Sequence, residues 1–182
     1  MSFFGNIFTT SPLPALTKSL GKALQDRKFK VSTAESLTGG GAAYWLTRYP
    51  GSSEWFDRGF VTYTIEAKQE LLHIDPELIK KYDVVSEIIA KEMASKALQH
   101  SHSQVSVSFT GVAGPSGGTP QHPVGTVWIG WAGKSFETHA EAFLFKGDRD
   151  SVLNQSIVMG FKKLIKLLNY STNVPNALVA GN

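Results

Sequence analysis

The sequence predicts an α/β protein, a three-layer α/β/α sandwich built on a mixed sheet. Segments with strand character alternate with segments of helical periodicity along most of the 182 residues. Two late strands are joined by a short turn at Gly133-Lys134, which predicts an antiparallel hairpin within the sheet. The composition, with 42% hydrophobic and 18% charged residues, is that of an ordinary globular domain.

The first half of the chain is predicted to contain two strands and five helices. Ser11-Pro12 opens the first helix, in which Leu13, Leu16, Leu20 and Leu24 recur at helical spacing. The other elements are strands at 28–32 and 60–63, and helices at 42–48, at 66–72, from Asp75-Pro76, and from Ser86 to about His100.

The second half is predicted to contain three strands and one long helix. The strands lie at 105–109, 124–131 and 136–145, and the helix at 149–168. A loop rich in glycine, proline and threonine connects the first two of these strands. These limits predict an N-terminal arm at 1–12, one domain at 13–168 and a C-terminal tail at 169–182.

Charge and residue types exclude several classes of function. The absence of cysteine excludes disulfides, Cys-ligated zinc, iron–sulfur clusters and a cysteine nucleophile. The net charge of +3 is small and the basic residues are mostly scattered, so we expect no nucleic-acid partner. The histidines form no metal-binding pattern, and we expect no metal. No apolar run is long enough to cross a bilayer and no signal peptide is evident, so we expect a cytoplasmic protein without membrane contact.

The strongest local feature is a hydroxyl- and glycine-rich turn between a strand and a helix, from Ser36 through Thr38, Gly39 and Gly40 to Gly41. Glycines let a ligand approach the backbone closely, and the following helix offers free N–H groups that suit an anion or an oxyanion. A tight turn with a Ser or Thr side chain capping the helix explains these residues equally well.

Two further features follow strands. The loop from Thr110 to Pro120 is long for a connection, which is typical of binding loops, although a flexible surface loop is the alternative. Lys68 follows the strand at 60–63 and becomes a candidate base if burial lowers its pKa. Because adjacent strand ends converge on one crevice, Ser36 and Lys68 are candidates to meet there. An exposed helical lysine paired with Glu66 or Glu70 is the alternative.

Taken together, these segments resemble the CinA C-terminal domain family, the nicotinamide-nucleotide amidohydrolases. The resemblance covers about residues 13–168. The matching segments, in the family's order, are Thr33-Ala34-Glu35-Ser36 with Thr38-Gly39-Gly40, Pro50-Gly51-Ser52-Ser53, Gly59-Phe60-Val61-Thr62-Tyr63, Glu66-Ala67-Lys68, Val85-Ser86-Glu87, Thr110-Gly111-Val112-Ala113-Gly114-Pro115 with Gly117-Gly118-Thr119, Pro123-Val124-Gly125-Thr126-Val127, and Gly147-Asp148-Arg149.

The resemblance implies a stand-alone enzyme that converts nicotinamide mononucleotide to nicotinate mononucleotide and ammonia. It implies a dyad in which Ser36 attacks the carboxamide and Lys68 takes its proton, with Tyr63 orienting Lys68 or the substrate. It further implies a small pyridine nucleotide as partner, a homodimer and no cofactor. Candidate oxyanion-hole or substrate-binding groups are Thr38, Gly39, Gly40, Thr110 and Gly111, and candidate phosphate donors are Gly117, Gly118, Thr119 and Arg149.

The chain departs from the family's usual pattern in two places. Leu37 stands where a cysteine is common, and Thr64-Ile65 stands where Ser-Asn is common. Losing that asparagine removes a donor and an acceptor beside Lys68. Two alternatives therefore stay open: a non-catalytic nucleotide-binding or interaction module on the same fold, and a hydrolase of a different, more apolar amide.

Overall fold

The structure, a computed structural model, describes residues 11–170. It contains five strands and six helices, together with a 3-10 turn at Ser52–Glu54. In chain order the elements are α1 (Leu13–Gln25), β1 (Val31–Glu35), α2 (Gly41–Thr47), β2 (Phe56–Val61), α3 (Ile65–Leu72), α4 (Pro76–Tyr82), α5 (Glu87–Gln99), β3 (Val105–Gly111), β4 (Thr126–Gly133), β5 (Phe136–Leu144) and α6 (Arg149–Tyr170).

The five strands form one mixed sheet in the order β2-β1-β3-β4-β5. β1 runs parallel to both β2 and β3, with Glu35 opposite Val61 on one side and Phe109 on the other. β4 is antiparallel to β3 and forms the predicted hairpin with β5. The carboxyl ends of the three parallel strands therefore lie together at one edge of the sheet, where ligand sites of α/β folds are found.

Helices cover both faces of the sheet, which confirms the predicted three-layer sandwich. α1, α2 and α6 cover one face, and their buried side chains share a hydrophobic core with apolar residues of β1, β3 and β4. α3, α4 and α5 cover the other, with a smaller core in which Ala34 meets Leu72, Ile79, Ile89 and Met93. The two apolar residues of β1 face opposite sides of the sheet, with Val31 in the larger core and Ala34 in the smaller one.

α5 packs closely against the sheet because small residues face it. Ser106 and Ser108 of β3 donate hydrogen bonds of 2.6 Å to the carbonyl oxygens of Ala94 and Ala90. A Cβ atom on Gly130 of β4 would lie 2.4 Å from the Ala90 oxygen, so only glycine fits there. This close contact fixes the position of α5 and of the residues just before its N-terminus.

Some element boundaries differ from those predicted. β1 begins at Val31 rather than at 28, because Lys28 has a left-handed backbone (φ 54°) that ends the turn after α1. β2 begins at Phe56 and ends at Val61, and the backbone N–H of Thr62, just after the strand, still donates to the carbonyl oxygen of Glu35. β4 begins at Thr126, because the preceding Gly125 is left-handed (φ 93°).

The predicted arm and tail fall largely outside the described residues. Of the arm only Ser11 and Pro12 are described, and of the tail only Asn169 and Tyr170, which continue α6. Within residues 11–170, no helix combines the length and apolar character that a bilayer-spanning segment needs.

Candidate active site

Ser36 and Lys68 meet at the carboxyl end of the parallel strands. Ser36 follows β1 directly, and its backbone N–H donates to the carbonyl oxygen of Phe109 at 2.9 Å, which extends the pairing of β1 with β3 by one residue. Lys68 lies on α3, and its Nζ is 3.0 Å from Ser36 Oγ. The same Nζ donates to the carbonyl oxygen of Thr62 at 2.7 Å, so the amine is held from two sides.

The position of Lys68 follows from how α3 begins. Thr64 caps this helix, and its Oγ1 accepts the backbone N–H of Ala67 at 3.1 Å. The cap places Lys68 one turn inside the helix, on the side that faces the sheet. Thr64 therefore supports the position of Lys68 through its cap.

Lys68 is buried without a counter-charge. Its side chain is 1% exposed, and no carboxylate within residues 11–170 forms an ion pair with it. Removal from water disfavours the ammonium form and lowers the pKa of Lys68 from 10.5 to about 8. About one tenth of the molecules then carry a neutral amine at pH 7, which is the form that can take a proton from Ser36.

Glu35, to which sequence analysis gave no role, satisfies the start of α2. Its side chain is fully buried. Oε2 accepts the backbone N–H groups of Gly40 (3.0 Å) and Ala42 (2.9 Å). Oε1 accepts the backbone N–H of Ala43 (2.9 Å) and the O–H of Thr33 (2.9 Å). A carboxylate before a helix is a recognised stabilising pattern, and that was the signal available in the sequence.

This capping corrects the expectation that the free N–H groups of α2 receive an anion, because Glu35 already occupies them. The amide of Gly39, one of the expected donors, instead bonds the Ser36 carbonyl at 3.1 Å, and that of Gly40 is held by Glu35. Both glycines have left-handed backbones (φ 55° and 95°), so their role here is to form the turn.

Two amides of the same turn remain available. Within residues 11–170 the backbone N–H groups of Leu37 and Thr38 have no hydrogen-bond partner. Leu37 lines the cavity beside Ser36, and its side chain packs into the larger core. The Thr38 hydroxyl is buried and unpartnered among the described residues, so only its backbone is left as a candidate donor.

The dyad borders a cavity of about 240 Å³ whose walls combine polar and apolar groups in similar measure. Its lining consists of Ser36, Leu37, Tyr63, Ile65, Lys68, Val84, Val85, Thr110, Gly111, Ala113 and Arg149. The Thr110 hydroxyl is engaged, since it donates to the Val84 carbonyl at 2.6 Å and so ties β3 to the start of α5. Ile65 is 44% exposed and forms part of the mouth.

A second cavity of about 360 Å³ adjoins the first and shares Tyr63, Val84, Val85, Gly111, Ala113 and Arg149 with it. We call the first the dyad cavity and the second the outer cavity. Gly117 and Thr119 line the outer cavity as predicted for substrate contact, but Gly118 lines neither and packs against Val124. His122 and Asp83 also line the outer cavity, although sequence analysis gave neither a role.

Arg149 stands where the two cavities meet. Its Nη1 donates to the Gly114 carbonyl at 3.0 Å and its Nη2 to the Tyr63 hydroxyl at 3.2 Å. No carboxylate within the described part of the chain forms an ion pair with it, so its positive charge is not neutralised. Tyr63 is therefore bonded to Arg149 rather than to Lys68, and its 57% exposed ring faces the cavity mouth.

Sequence comparisons give a consistent picture of relatedness. A family model described as the CinA C-terminal domain matches residues 14–168. The chain is 42% identical over 156 residues to the nicotinamide-nucleotide amidohydrolase PncC of Escherichia coli K12, a match that covers 86% of this chain and 94% of that protein. It is 44% identical over 165 residues to a competence-damage inducible protein of Symbiobacterium thermophilum, again over 86% of this chain, but it spans only 39% of that relative's length.

Solved structures share the fold over nearly the same range. The competence/damage inducible protein CihA of Agrobacterium tumefaciens is 33% identical, with a TM-score of 0.84 and coverage of 92% of this chain and 99% of that one. A competence-damaged protein (CinA) superfamily member from Escherichia coli is 34% identical, with a TM-score of 0.81 and coverage of 85% and 90%.

Proposed function

This chain belongs to the CinA C-terminal domain family, and from that premise we propose that it is an amidohydrolase acting on nicotinamide mononucleotide. The products are nicotinate mononucleotide and ammonia. Support comes from the relatives named as nicotinamide-nucleotide amidohydrolases in Escherichia coli and Pseudomonas putida. The observation that carries the proposal is the 3.0 Å separation between Lys68 Nζ and Ser36 Oγ at the wall of the dyad cavity.

In this mechanism Lys68 in its neutral form accepts the Ser36 proton while Oγ attacks the carboxamide carbon. A tetrahedral oxyanion forms, and Lys68 returns the proton to the amide nitrogen, so that the carbon–nitrogen bond breaks and ammonia leaves. Water then attacks the acyl-enzyme with Lys68 again accepting its proton, which releases the carboxylate product and regenerates the Ser36 hydroxyl. The positive pyridinium ring withdraws electrons from the amide and assists the first attack.

The oxyanion requires donors that are fixed before the reaction. The unpartnered amide of Leu37, which lines the dyad cavity, meets this requirement, because Glu35 holds the turn that carries it. Thr38 lines neither cavity. In many hydrolases the backbone N–H of the residue after the nucleophile forms part of the oxyanion hole. The amides of Gly39 and Gly40 are engaged within the turn, and Thr110 and Gly111 serve as cavity walls.

The size and charge of the outer cavity suit the rest of the nucleotide. Its volume of about 360 Å³ adjoins the dyad cavity through Tyr63 and Arg149. In the proposed complex Arg149 attracts the phosphate, Gly117 and Thr119 border it, and Tyr63 lies against the substrate at the junction. The remaining expectations, namely a catalytic domain at 13–168, a homodimer and a cytoplasmic role in pyridine-nucleotide salvage, stay predictions.

Ammonia release from nicotinamide mononucleotide tests the proposal. We expect turnover by the wild type and a loss of at least about a hundredfold in both Ser36→Ala and Lys68→Ala. Thermal unfolding of each variant tests whether the loss is caused by unfolding. Ser19→Ala, a change at an exposed serine on α1 outside both cavities, serves as the matched control and should keep wild-type turnover.

Two outcomes of that assay favour the alternatives. Wild-type protein that binds the nucleotide without releasing ammonia points to a non-catalytic module, and Ile65→Asn then tests whether the apolar mouth is the cause. Turnover of simpler, more apolar amides in preference to the nucleotide points to a different substrate.

A further inference from the structure

The outer cavity contains a nitrogen donor that the proposed function does not use. His122 is half-buried and lines this cavity together with Arg149. The acidic side chain in the lining is Asp83, whose carboxylate accepts the backbone N–H of Val84 at 2.5 Å. The charged side chains of the lining are therefore Arg149 and Asp83, and His122 adds a ring nitrogen that can donate a hydrogen bond.

The glycine-rich turn after β1 cannot supply the phosphate site. The helix N-terminus that usually binds a phosphate is blocked here by the buried carboxylate of Glu35. Apart from Arg149, which it shares with the outer cavity, the dyad cavity is lined by one cationic side chain, Lys68, which has to be neutral to act as a base. An anionic group on the substrate is consequently directed to the outer cavity.

Hydrogen bonds hold the backbone at His122 in place, and this limits where its imidazole ring can lie. The backbone N–H of Thr119 donates to the His122 carbonyl at 3.0 Å, and that of His122 donates to Thr119 Oγ1 at 3.0 Å. Both bonds use the main chain of His122, so substitution of its side chain preserves them. In the second bond Thr119 Oγ1 acts as an acceptor within the loop.

We propose that His122, which lines the outer cavity together with Arg149, is a second ligand of the substrate's phosphate monoester, and that Asp83 opposes this binding by its charge. This inference rests on the proposed function for the identity of the nucleotide. An imidazole donates an N–H to a phosphate oxygen in either protonation state. Together with the guanidinium of Arg149 it provides two separate donors for one dianion, which favours a nucleotide over the corresponding nucleoside.

Binding measurements in a Ser36→Ala background test the proposal without turnover. Isothermal titration compares nicotinamide mononucleotide with nicotinamide riboside, which lacks the phosphate, and ribose 5-phosphate is titrated separately against the wild type. We expect His122→Ala to weaken both phosphorylated ligands about three- to tenfold and to leave the riboside unchanged. His122→Gln, which keeps one N–H donor, loses less, and Asp83→Asn binds the phosphorylated ligands more tightly.

The matched control is His102→Ala, a histidine outside both cavities, which should change none of these affinities. The proposal is overturned if His122→Ala affects nucleotide and riboside equally, or if it affects neither. Its failure is distinct from failure of the proposed function. If the wild type releases ammonia and His122→Ala changes no affinity, only the phosphate-binding role of His122 is rejected. If ribose 5-phosphate binding depends on His122 but no ammonia is released, the phosphate-binding role is supported and the amidohydrolase activity is rejected.

Discussion

At the scale of single residues, Lys68 combines a functional advantage with a cost in stability. Its amino group is buried, bonded to the Thr62 carbonyl and within reach of Ser36 Oγ. No counter-charge among the described residues compensates for the loss of hydration. Burying this side chain therefore lowers the stability of the fold but makes the amine a better base, a conflict that is common at active sites.

This conflict predicts that Lys68→Met stabilises the protein at neutral pH. Burial lowers the pKa of Lys68 from 10.5 to about 8, so the unfolded chain binds the proton more tightly than the folded one. The stability of the wild type relative to the variant then rises as the pH increases from about 8 to about 10.5. We expect the variant to be more stable at pH 7 by up to about 3 kcal/mol, partly offset by the lost hydrogen bonds.

Urea unfolding of both proteins at pH 7 and pH 10 measures this difference. The exposed Lys80→Met provides the control and should change stability by less than about 0.5 kcal/mol. A Lys68→Met protein that is less stable at pH 7, or whose difference from the wild type does not change with pH, contradicts the assignment of a costly buried ammonium group.

At the scale of secondary-structure elements, the turn between β1 and α2 depends on Glu35. Its carboxylate accepts three backbone N–H groups at the start of α2 and one side-chain hydroxyl. A glutamine keeps one carbonyl oxygen but presents an amide NH₂ to donors that already point at it. We expect Glu35→Gln to destabilise the fold by about 2–4 kcal/mol and to lower kcat, because the turn also carries Ser36.

Chemical denaturation and ammonia release measured on the same preparation check this expectation. Glu54→Gln removes an exposed carboxylate from the 3-10 turn and should alter neither quantity. If Glu35→Gln matches the wild type in both, the carboxylate does not hold the turn.

The same element shows what could and could not be predicted from the sequence. The strand, the glycine turn and the helix were all recognisable, because β-branched residues, glycines and helical periodicity leave local signals. The partner of the turn's N–H groups was not, since it depends on the rotamer of Glu35 and on the conformations of Gly39 and Gly40. Hydroxyl capping was the expected alternative, and a buried carboxylate fills that role instead.

At the scale of the whole molecule, the topology explains why Ser36 and Lys68 could be paired in advance. β1 and β2 are parallel neighbours, so the segments that follow them emerge at the same edge of the sheet. The outer cavity was harder to foresee. It forms where the loop after β3 meets the start of α6 through Arg149 and Gly114, and this long-range contact leaves no local pattern. His122 and Asp83 were missed for that reason.

The account as a whole depends on a neutral Lys68 that activates Ser36. The most direct measurement is the pH dependence of kcat/KM for ammonia release from nicotinamide mononucleotide, from pH 7 upwards, where the substrate's phosphate is already ionised. The lowered pKa predicts that kcat/KM rises with pH and levels off above about 8, and that Lys68→Arg, which stays protonated, is inactive. A profile that is flat from pH 7 to pH 9 in a folded, active enzyme would contradict Lys68 as the base.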